Sequence, residues 1–264
     1  MQINPSPTAY NLGGKGYQLF LLNEICSVPE FFVIRFEYDD EIENDEVQAE
    51  ITRTFDSHMF NYVSVRSSAT VEDSDVASFA GMFQTKLNVT RDNLIGAIKE
   101  VLYSSRNTRV HEYCELHGLD ASAVQVRVII QRMVNSKVAG VCITKDIGNP
   151  DTMLIEACWG LGEALVSGMI APDIYKVNRM NLEIVSFKIG YQNKMVAPYN
   201  RTETVDVLFH LRNAKKLKSD ELLALTKMCL LIEMNLNYGT ADIEWAFEGD
   251  KLYILQARPF IGRI

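Results

Sequence analysis

The 264-residue sequence predicts an α+β fold, and three observations carry the prediction. Strand-like segments follow one another from Val124 to Ile189 with no helical period between most of them. Segments with a 3.6-residue apolar period are gathered elsewhere, and the chain ends in a hairpin signal around Glu248-Gly249-Asp250. The strict strand–helix–strand alternation of a doubly wound parallel sheet is missing.

Taken in order, residues 11–16 read as a flexible glycine-rich turn, Gly13-Gly14-Lys15-Gly16 at its heart, leading into a short helix over 17–25. Leu19, Leu22 and Ile25 give that helix its spacing, and Val28-Pro29 ends it. Residues 31–36 form a buried strand, and the acids of 39–46 a solvated loop and the negative first turn of a helix carrying Val47, Ile51 and Phe55. The strand over 62–66 sends Val63 and Val65 to one side and Ser64 and Arg66 to the other, followed by a polar stretch over 67–78. Strand character resumes over 85–89. Thr90 is then placed to cap a helix with Leu94, Ile98, Val101 and Leu102 on one face. A second helical stretch follows Arg106 and closes at His117-Gly118.

From Val124 the pattern changes, with Val126, Val128 and Ile130 alternating with Gln125, Arg127 and Gln131. Strands are expected over 138–144, 153–158, 174–177 and 184–189, a long helix from Ser219 to about Asn235, and hairpin arms over 241–247 and 251–257. This change places a division into two parts near residue 120, giving 1–120 and 121–264.

Composition excludes several function classes. Lys plus Arg total 26 against 34 Asp plus Glu, for net −8, which argues against a surface built for nucleic acid or anionic lipid. Lys227 and Glu233 interrupt the richest apolar stretch, so no membrane partner is expected. The start lacks the basic and apolar regions of a signal peptide. The five cysteines are odd in number, dispersed and without a CxxC pair, and they read as buried thiols of a reducing, cytoplasmic setting.

Three constellations carry chemistry. Gly13-Gly14-Lys15-Gly16 offers backbone amides and an ammonium at a helix start, suited to phosphate, although a plain turn is the commoner meaning. It is not a P-loop, because Gly16 stands where Ser or Thr would hold magnesium. Arg66 can face a cleft and fork onto phosphate oxygens, while Ala80 and Gly81 would let a loop approach a polyphosphate; a surface Arg paired with Glu72 or Asp73 reads equally well. The hairpin is the sharpest. A register pairing Glu244 with Ile254 and Asp242 with Gln256 places Asp242, Glu244 and Gln256 on one face, and Ile243, Trp245, Tyr253 and Leu255 on the other. Hard oxygen donors on one face suit magnesium, and a one-residue slip would separate Glu244 from Gln256. The four histidines, His58, His111, His117 and His210, form no triad or metal cluster and read as structural.

Taken together, these segments resemble the N-terminal nucleotide-binding domain of the phosphoenolpyruvate synthase, pyruvate phosphate dikinase and rifampin phosphotransferase family. The resemblance runs nearly end to end: GGKG at 13–16, VPEFFVI at 28–34, VRSSATVED at 65–73, SFAG at 78–81, QRMV at 131–134, AGVCIT at 139–144, WGLGE at 159–163, VSGMIAPDIY at 166–175 and DIEWA…LQARP at 242–259. It implies an ATP-grasp fold whose two α+β lobes clamp Mg-ATP. By that resemblance Lys15 and Arg66 hold phosphates under the Gly81 loop, and Gln131, Met133 and Val134 border adenine. Thr144 lies within the nucleotide site and Glu163 near the ribose. Glu244 and Gln256 are the magnesium ligands, with Asp242 and Arg258 as polar supports. Lys15, Arg66 and Arg258 form the charge-neutralising catalytic set, as phosphoryl transfer requires.

The family passes the β,γ-diphosphate of ATP to a histidine on a swivelling domain, releases AMP, and serves an acceptor bound on a further domain. Here the sequence stops at Ile264, just past QARPF, and no histidine lies in the family's phosphohistidine motif. An excised domain or a stand-alone subunit with a separate carrier is therefore expected. Glu156 stands where the family often has Asn, and the region 38–61 is short. The pyruvate-type acceptor has alternatives in an antibiotic hydroxyl or an amide. A non-catalytic nucleotide sensor is the reading from another class, disfavoured by the intact set Lys15, Arg66, Glu244 and Gln256.

Overall fold

The computed structural model describes residues 1–70, 84–104, 124–198 and 203–260, with the short pieces 73–74, 77–78, 112 and 114–116. Two compact units emerge: Met1–Phe20 with Glu30–Met133, and Leu21–Pro29 with Val134–Ile264. The division thus falls at Met133/Val134 and not near residue 120. The strand that follows Val124 pairs on both sides with strands of the first unit and completes its sheet.

That first sheet is antiparallel and ordered β1-β2-β7-β3-β6, formed by Gln2–Ile3, Phe31–Arg35, Val126–Arg132, Val63–Ala69 and Thr85–Val89. Phe32, Ile34, Val63, Val65, Val128 and Ile130 turn to one face and form the core with helices α2 (Asp45–Ser57) and α3 (Leu94–Tyr103). Each such side chain contributes about 1.5–3 kcal/mol on burial, so period-two patterning sets which face is covered. Asn44 caps α2 by accepting from the backbone N–H groups of Glu46 and Val47. Thr90 makes no side-chain cap; a 3-10 turn, Arg91–Asn93, separates it from α3. The short strands β4 (Asp73–Ser74) and β5 (Ala77–Ser78) pair with each other. Most of the stretch between Arg106 and Gly118 lies outside the described residues, as do His111 and His117.

Two departures from expectation shape this unit. Helix α1 runs from Ala9 to Asn23, enclosing the glycine-rich segment, and is broken at Gly13, where φ is 71°. Strand β3 runs on to Ala69, because Ser67, Ser68 and Ala69 pair with Val128, Arg127 and Val126. The polar look of Ser67-Ser68 reflects packing beneath α1, not a loop.

The second unit holds a six-stranded antiparallel sheet ordered β11-β10-β9-β8-β14-β15: Ile184–Lys188, Asp173–Asn178, Thr152–Trp159, Val138–Ile143, Ala241–Glu248 and Lys251–Pro259. Short α4 (Glu163–Val166) follows β9, and a small pair, β12 (Lys194–Val196) and β13 (Thr204–Asp206), was not evident in the sequence. Helix α5 (Ser219–Leu236) buries Leu225, Cys229 and Ile232. Its Cys229 thiol lies beside that of Cys142, which marks the face of the sheet it covers. Ile155, Tyr175, Ile243, Trp245 and Ala257 are buried with it. The opposite face is only half-covered: Leu154, Glu156, Val141, Ile143, Asp242 and Glu244 keep intermediate exposure.

The unit is pinned internally by a fully buried ion pair. Lys216 Nζ donates to Asp173 Oδ1 at 2.9 Å, and Asp173 also accepts from the backbone N–H of Gly190 and of Lys216 and from the Tyr175 hydroxyl. All five cysteines are free; Cys26 is half-buried and the others buried. Burial pushes the Cys26 and Cys158 thiols up to about 12, which suits structural thiols. Among the described residues no helix is long and apolar enough to cross a membrane.

Candidate functional site

The hairpin places the carboxylate and amide donors by register. From its turn the arms pair Glu248 with Lys251, Phe247 with Leu252, Ala246 with Tyr253 and Trp245 with Ile254. Continued regularly, that register would set Glu244 against Leu255 and send Gln256 to the buried face. A bulge between Glu244 and Trp245 absorbs one residue, so Glu244 stands directly across from Gln256 and Asp242 across from Arg258. The expected pairings Glu244–Ile254 and Asp242–Gln256 are therefore corrected, although the shared face of Asp242, Glu244 and Gln256 is kept. Tyr253 is not on the Trp245 face: it packs with Val134, Ala139 and Ala246, and Leu255 lies against that same cluster. Ile254 takes the place beside Trp245.

The pairing extends across the sheet. Val141 of β8 lies opposite both Glu244 and Glu156, and Ile174 lies opposite Glu156. Glu156 and Glu244 therefore share one face two strands apart, roughly 9–10 Å between their Cα atoms. Burial raises the Glu156 carboxyl above its ordinary value. One row along, Arg258 donates from Nε and Nη2 to Asp242 Oδ2 at 2.9 and 2.8 Å. One row the other way, Val134, Ala139, Ala246 and Tyr253 make an apolar patch. The half-open face thus grades from apolar, through Glu244 and Gln256, to the Asp242–Arg258 pair.

The first unit supplies cations. Lys15 follows the break at Gly13, where an added Cβ would lie 2.3 Å from the Ser68 carbonyl oxygen, so only glycine fits both the conformation and the space. The Gly16 N–H donates to Ser68 Oγ at 2.9 Å, and Lys15 Nζ reaches the Ser67 carbonyl at 3.4 Å. Arg66 lies two residues before Ser68 on the same strand face and donates from Nη1 to Gln131 Oε1 at 3.2 Å. Gln131 is buried, and its Nε2 has no partner among the described residues. The structure thus groups Gln131 with Arg66, near the end of β7, while Met133 and Val134 stand where the chain passes from one unit to the other.

Other expected residues separate from these groups. Thr144 is fully buried; its Oγ1 accepts from the Ala241 N–H and it hydrogen-bonds Glu233, which Arg179 also holds. Glu163 is exposed in the first turn of α4. Gly81 lies outside the described residues, as do 71–72, 75–76 and 79–80 before it. His58 stacks between Phe32 and Phe60 and meets Glu30, a packing role, and His210 sits in the 3-10 turn Phe209–Leu211. Sequence reading passed over Arg127, which is 1% exposed. Its alternation with valines suggested an outward side chain, and a charge in the middle of a strand covered on both faces was the available signal.

The donor chemistry fits magnesium. Glu244 and Gln256 offer hard oxygen donors side by side, and among the described residues no group of three or more His, Cys, Asp or Glu could form an all-protein cage. Magnesium takes one or two protein oxygens and completes its shell with water and phosphate.

Comparison with known proteins follows this geometry. Residues 39–262 match the family described as pyruvate phosphate dikinase, AMP/ATP-binding domain. A probable phosphoenolpyruvate synthase of Methanocaldococcus jannaschii is 40% identical over 203 residues, 75% of this chain and 17% of that protein. Another from Pyrococcus horikoshii is 35% identical over 254 residues, 90% of this chain and 31% of that protein. The phosphoenolpyruvate synthase of Pseudomonas aeruginosa is 40% identical over 217 residues, 75% of this chain and 27% of that protein. Among solved structures, D-alanyl-alanine synthetase A from Vibrio cholerae aligns over 98% of this chain and 58% of its own, at 10% identity and TM-score 0.47.

The chain therefore belongs to the pyruvate phosphate dikinase AMP/ATP-binding domain family, and the α+β class expected from its sequence stands. It spans between 17 and 31% of the length of the relatives named here.

Proposed function

We propose that this chain is the ATP-binding part of an AMP-forming phosphotransferase. With magnesium it presents ATP so that the β,γ-diphosphate passes to a histidine carried elsewhere, for onward transfer to a pyruvate-type acceptor. The observation that carries the reading is the bulged register that sets Glu244 against Gln256, with Asp242–Arg258 one row away. Glu244 and Gln256 would hold the metal, which supplies charge neutralisation at the phosphates. Arg258, steered by Asp242, would face developing negative charge at that end. Lys15 and Arg66 would neutralise phosphate oxygens, with Gln131 fixing the Arg66 guanidinium. Val134 and the patch around Ala246 and Tyr253 would border adenine, beside Met133, and Glu163 would meet the ribose. Thr144, buried and engaged, would support the strand ends without touching nucleotide. A histidine-carrier domain and an acceptor-binding domain are the partners this reading requires, in the cytoplasm.

Mixing the protein with Mg-ATP and a separately expressed histidine domain of the family should yield AMP and phosphohistidine. ATP binding without AMP, whatever histidine domain is offered, would sink the enzymatic reading in favour of a nucleotide sensor. An acceptor other than pyruvate would leave this half-reaction unchanged.

A further inference from the structure

Lys15 is the cation whose placement the sequence explains least, because it follows a helix break that leaves its direction undetermined. The structure holds the turn before that break in an arrangement that serves no core. Arg127 Nη2 donates to the Tyr10 carbonyl at 3.1 Å and to Gln125 Oε1 at 2.7 Å. Arg35 Nη1 donates to Asn11 Oδ1 at 2.7 Å, and its Nη2 reaches Glu37 at 3.3 Å. Both guanidinium carbons lie against the Tyr10 ring, Arg35 at 5.1 Å and Arg127 at 5.7 Å from its centroid. Asn11 Nδ2 in turn donates to the Ser6 carbonyl at 3.0 Å.

Keeping two like charges on one ring is costly. Arg127 is 1% exposed, and its Nε has no partner among the described residues. Burial, and secondarily the charge of Arg35, hold its pKa below the usual guanidinium value. A hydrophobic residue at this position would avoid that cost, so stability alone does not account for arginine here. What arginine does is grip the carbonyl of Tyr10, five residues before Lys15. On the far side of the Gly13 break, Ser68 grips the N–H of Gly16, one residue after Lys15. Ser68 and Arg127 are directly paired across β3 and β7, and Arg66 shares their face. The Lys15 segment is thus held at both ends from one row of the sheet that also aims Arg66.

We infer that Arg127, with Arg35 and Tyr10, is a positioning device for Lys15: it holds the first turn of α1 so that the ammonium meets nucleotide phosphate. This rests on the ATP-binding reading and deepens it. Arg127 acts through Lys15 and does not touch the ligand.

The test is a double-mutant cycle in the whole 264-residue chain. Affinities for Mg-ATP and for adenosine are measured by titration calorimetry in wild type, Arg127→Met, Lys15→Ala and the double variant. Amide hydrogen exchange at Gly16 is followed without nucleotide. Arg127→Met should weaken Mg-ATP about tenfold, the loss of one charge-assisted hydrogen bond, and leave adenosine within about twofold. In the Lys15→Ala background its effect should disappear, and Gly16 exchange should accelerate in Arg127→Met. Arg127→Lys, which keeps a donor, should recover part of the affinity. Equal effects of Arg127→Met in both backgrounds, a matching loss of adenosine, or unchanged Gly16 exchange would each overturn the device. Should Arg127→Met fail to fold, Tyr10→Ala, at a residue 59% exposed, removes the stacking contacts and should show the same pattern more weakly. Wild-type protein without Mg-ATP affinity would refute the nucleotide reading, and the exchange measurement would still decide whether Arg127 holds the Lys15 segment.

Discussion

The two units use antiparallel sheets differently, and the difference bears on how each places its functional groups. In the first, the sheet is covered on both faces: α2 and α3 lie over Phe32, Val65 and Ile130, and the start of α1 lies over Ser68 and Arg127. Lys15 and Arg66 are therefore set by what packs over them and tied to Ser67 and Gln131. In the second, α5 covers one face and the other stays half-open. Glu244, Gln256, Asp242 and Arg258 are set by strand register, a property of the sheet itself. Overlay places the cations; pairing places the oxygen donors. A covered face tolerates charge only with partners, whereas a half-open face leaves its carboxylates partly exposed to solvent and to a ligand.

The contrast can be broken hardest at Glu244. Glu244→Ala should reduce metal-dependent AMP formation by at least about 100-fold while circular dichroism and melting temperature stay near wild type, because the residue sits on the open face. Turnover within a few-fold of wild type would remove Glu244 from the metal. Next in size is the buried pair of the second unit. Asp173→Ala leaves Lys216 charged and unpaired and should cost about 3–5 kcal/mol in urea unfolding. A cost below 1 kcal/mol would show that the pair does not hold this sheet. Gly13→Ala tests overlay directly. Both the positive φ and the approach to Ser68 oppose a Cβ, so a loss of about 1–3 kcal/mol in stability, with weaker Mg-ATP binding, is expected. An unaffected ATP affinity would show that the α1 break does not direct Lys15.

The smallest effect concerns Glu156. Its folded pKa is raised by burial, so the ionised form is disfavoured in the native state. Stability from this group is fully present below its unfolded pKa, near 4.3, and is lost as pH rises through the folded value. Glu156→Gln should therefore melt slightly higher than wild type at pH 7, and the gap should close towards pH 4. A gap that persisted at low pH would point to packing instead of charge.

Much of this was legible before any coordinates. The helix over Val47, Ile51 and Phe55, strand Thr85–Val89, helix Ser219–Leu236 and the terminal hairpin follow from periodicity, capping and turn chemistry. What was not legible shares a cause: local rules assume one covered face and a regular ladder. Arg127 alternates with valines yet is buried, because β7 lies at the centre of a sheet covered on both sides. Ser67-Ser68 read as the start of a polar stretch beyond the strand, yet they pair with β7 under α1. The bulge at Leu255 left no local mark, since no glycine or proline announces it.

The sequence by itself determined that this is an α+β chain of an ATP-binding family and which residue types could meet a magnesium nucleotide, because periodicity and motif composition are local properties. Only tertiary structure decided that Glu244 faces Gln256, that Thr144 is buried, and that Arg127 holds the segment bearing Lys15. Those outcomes depend on how strands slip against one another and on which face a helix covers, and both are settled by packing between residues far apart along the chain.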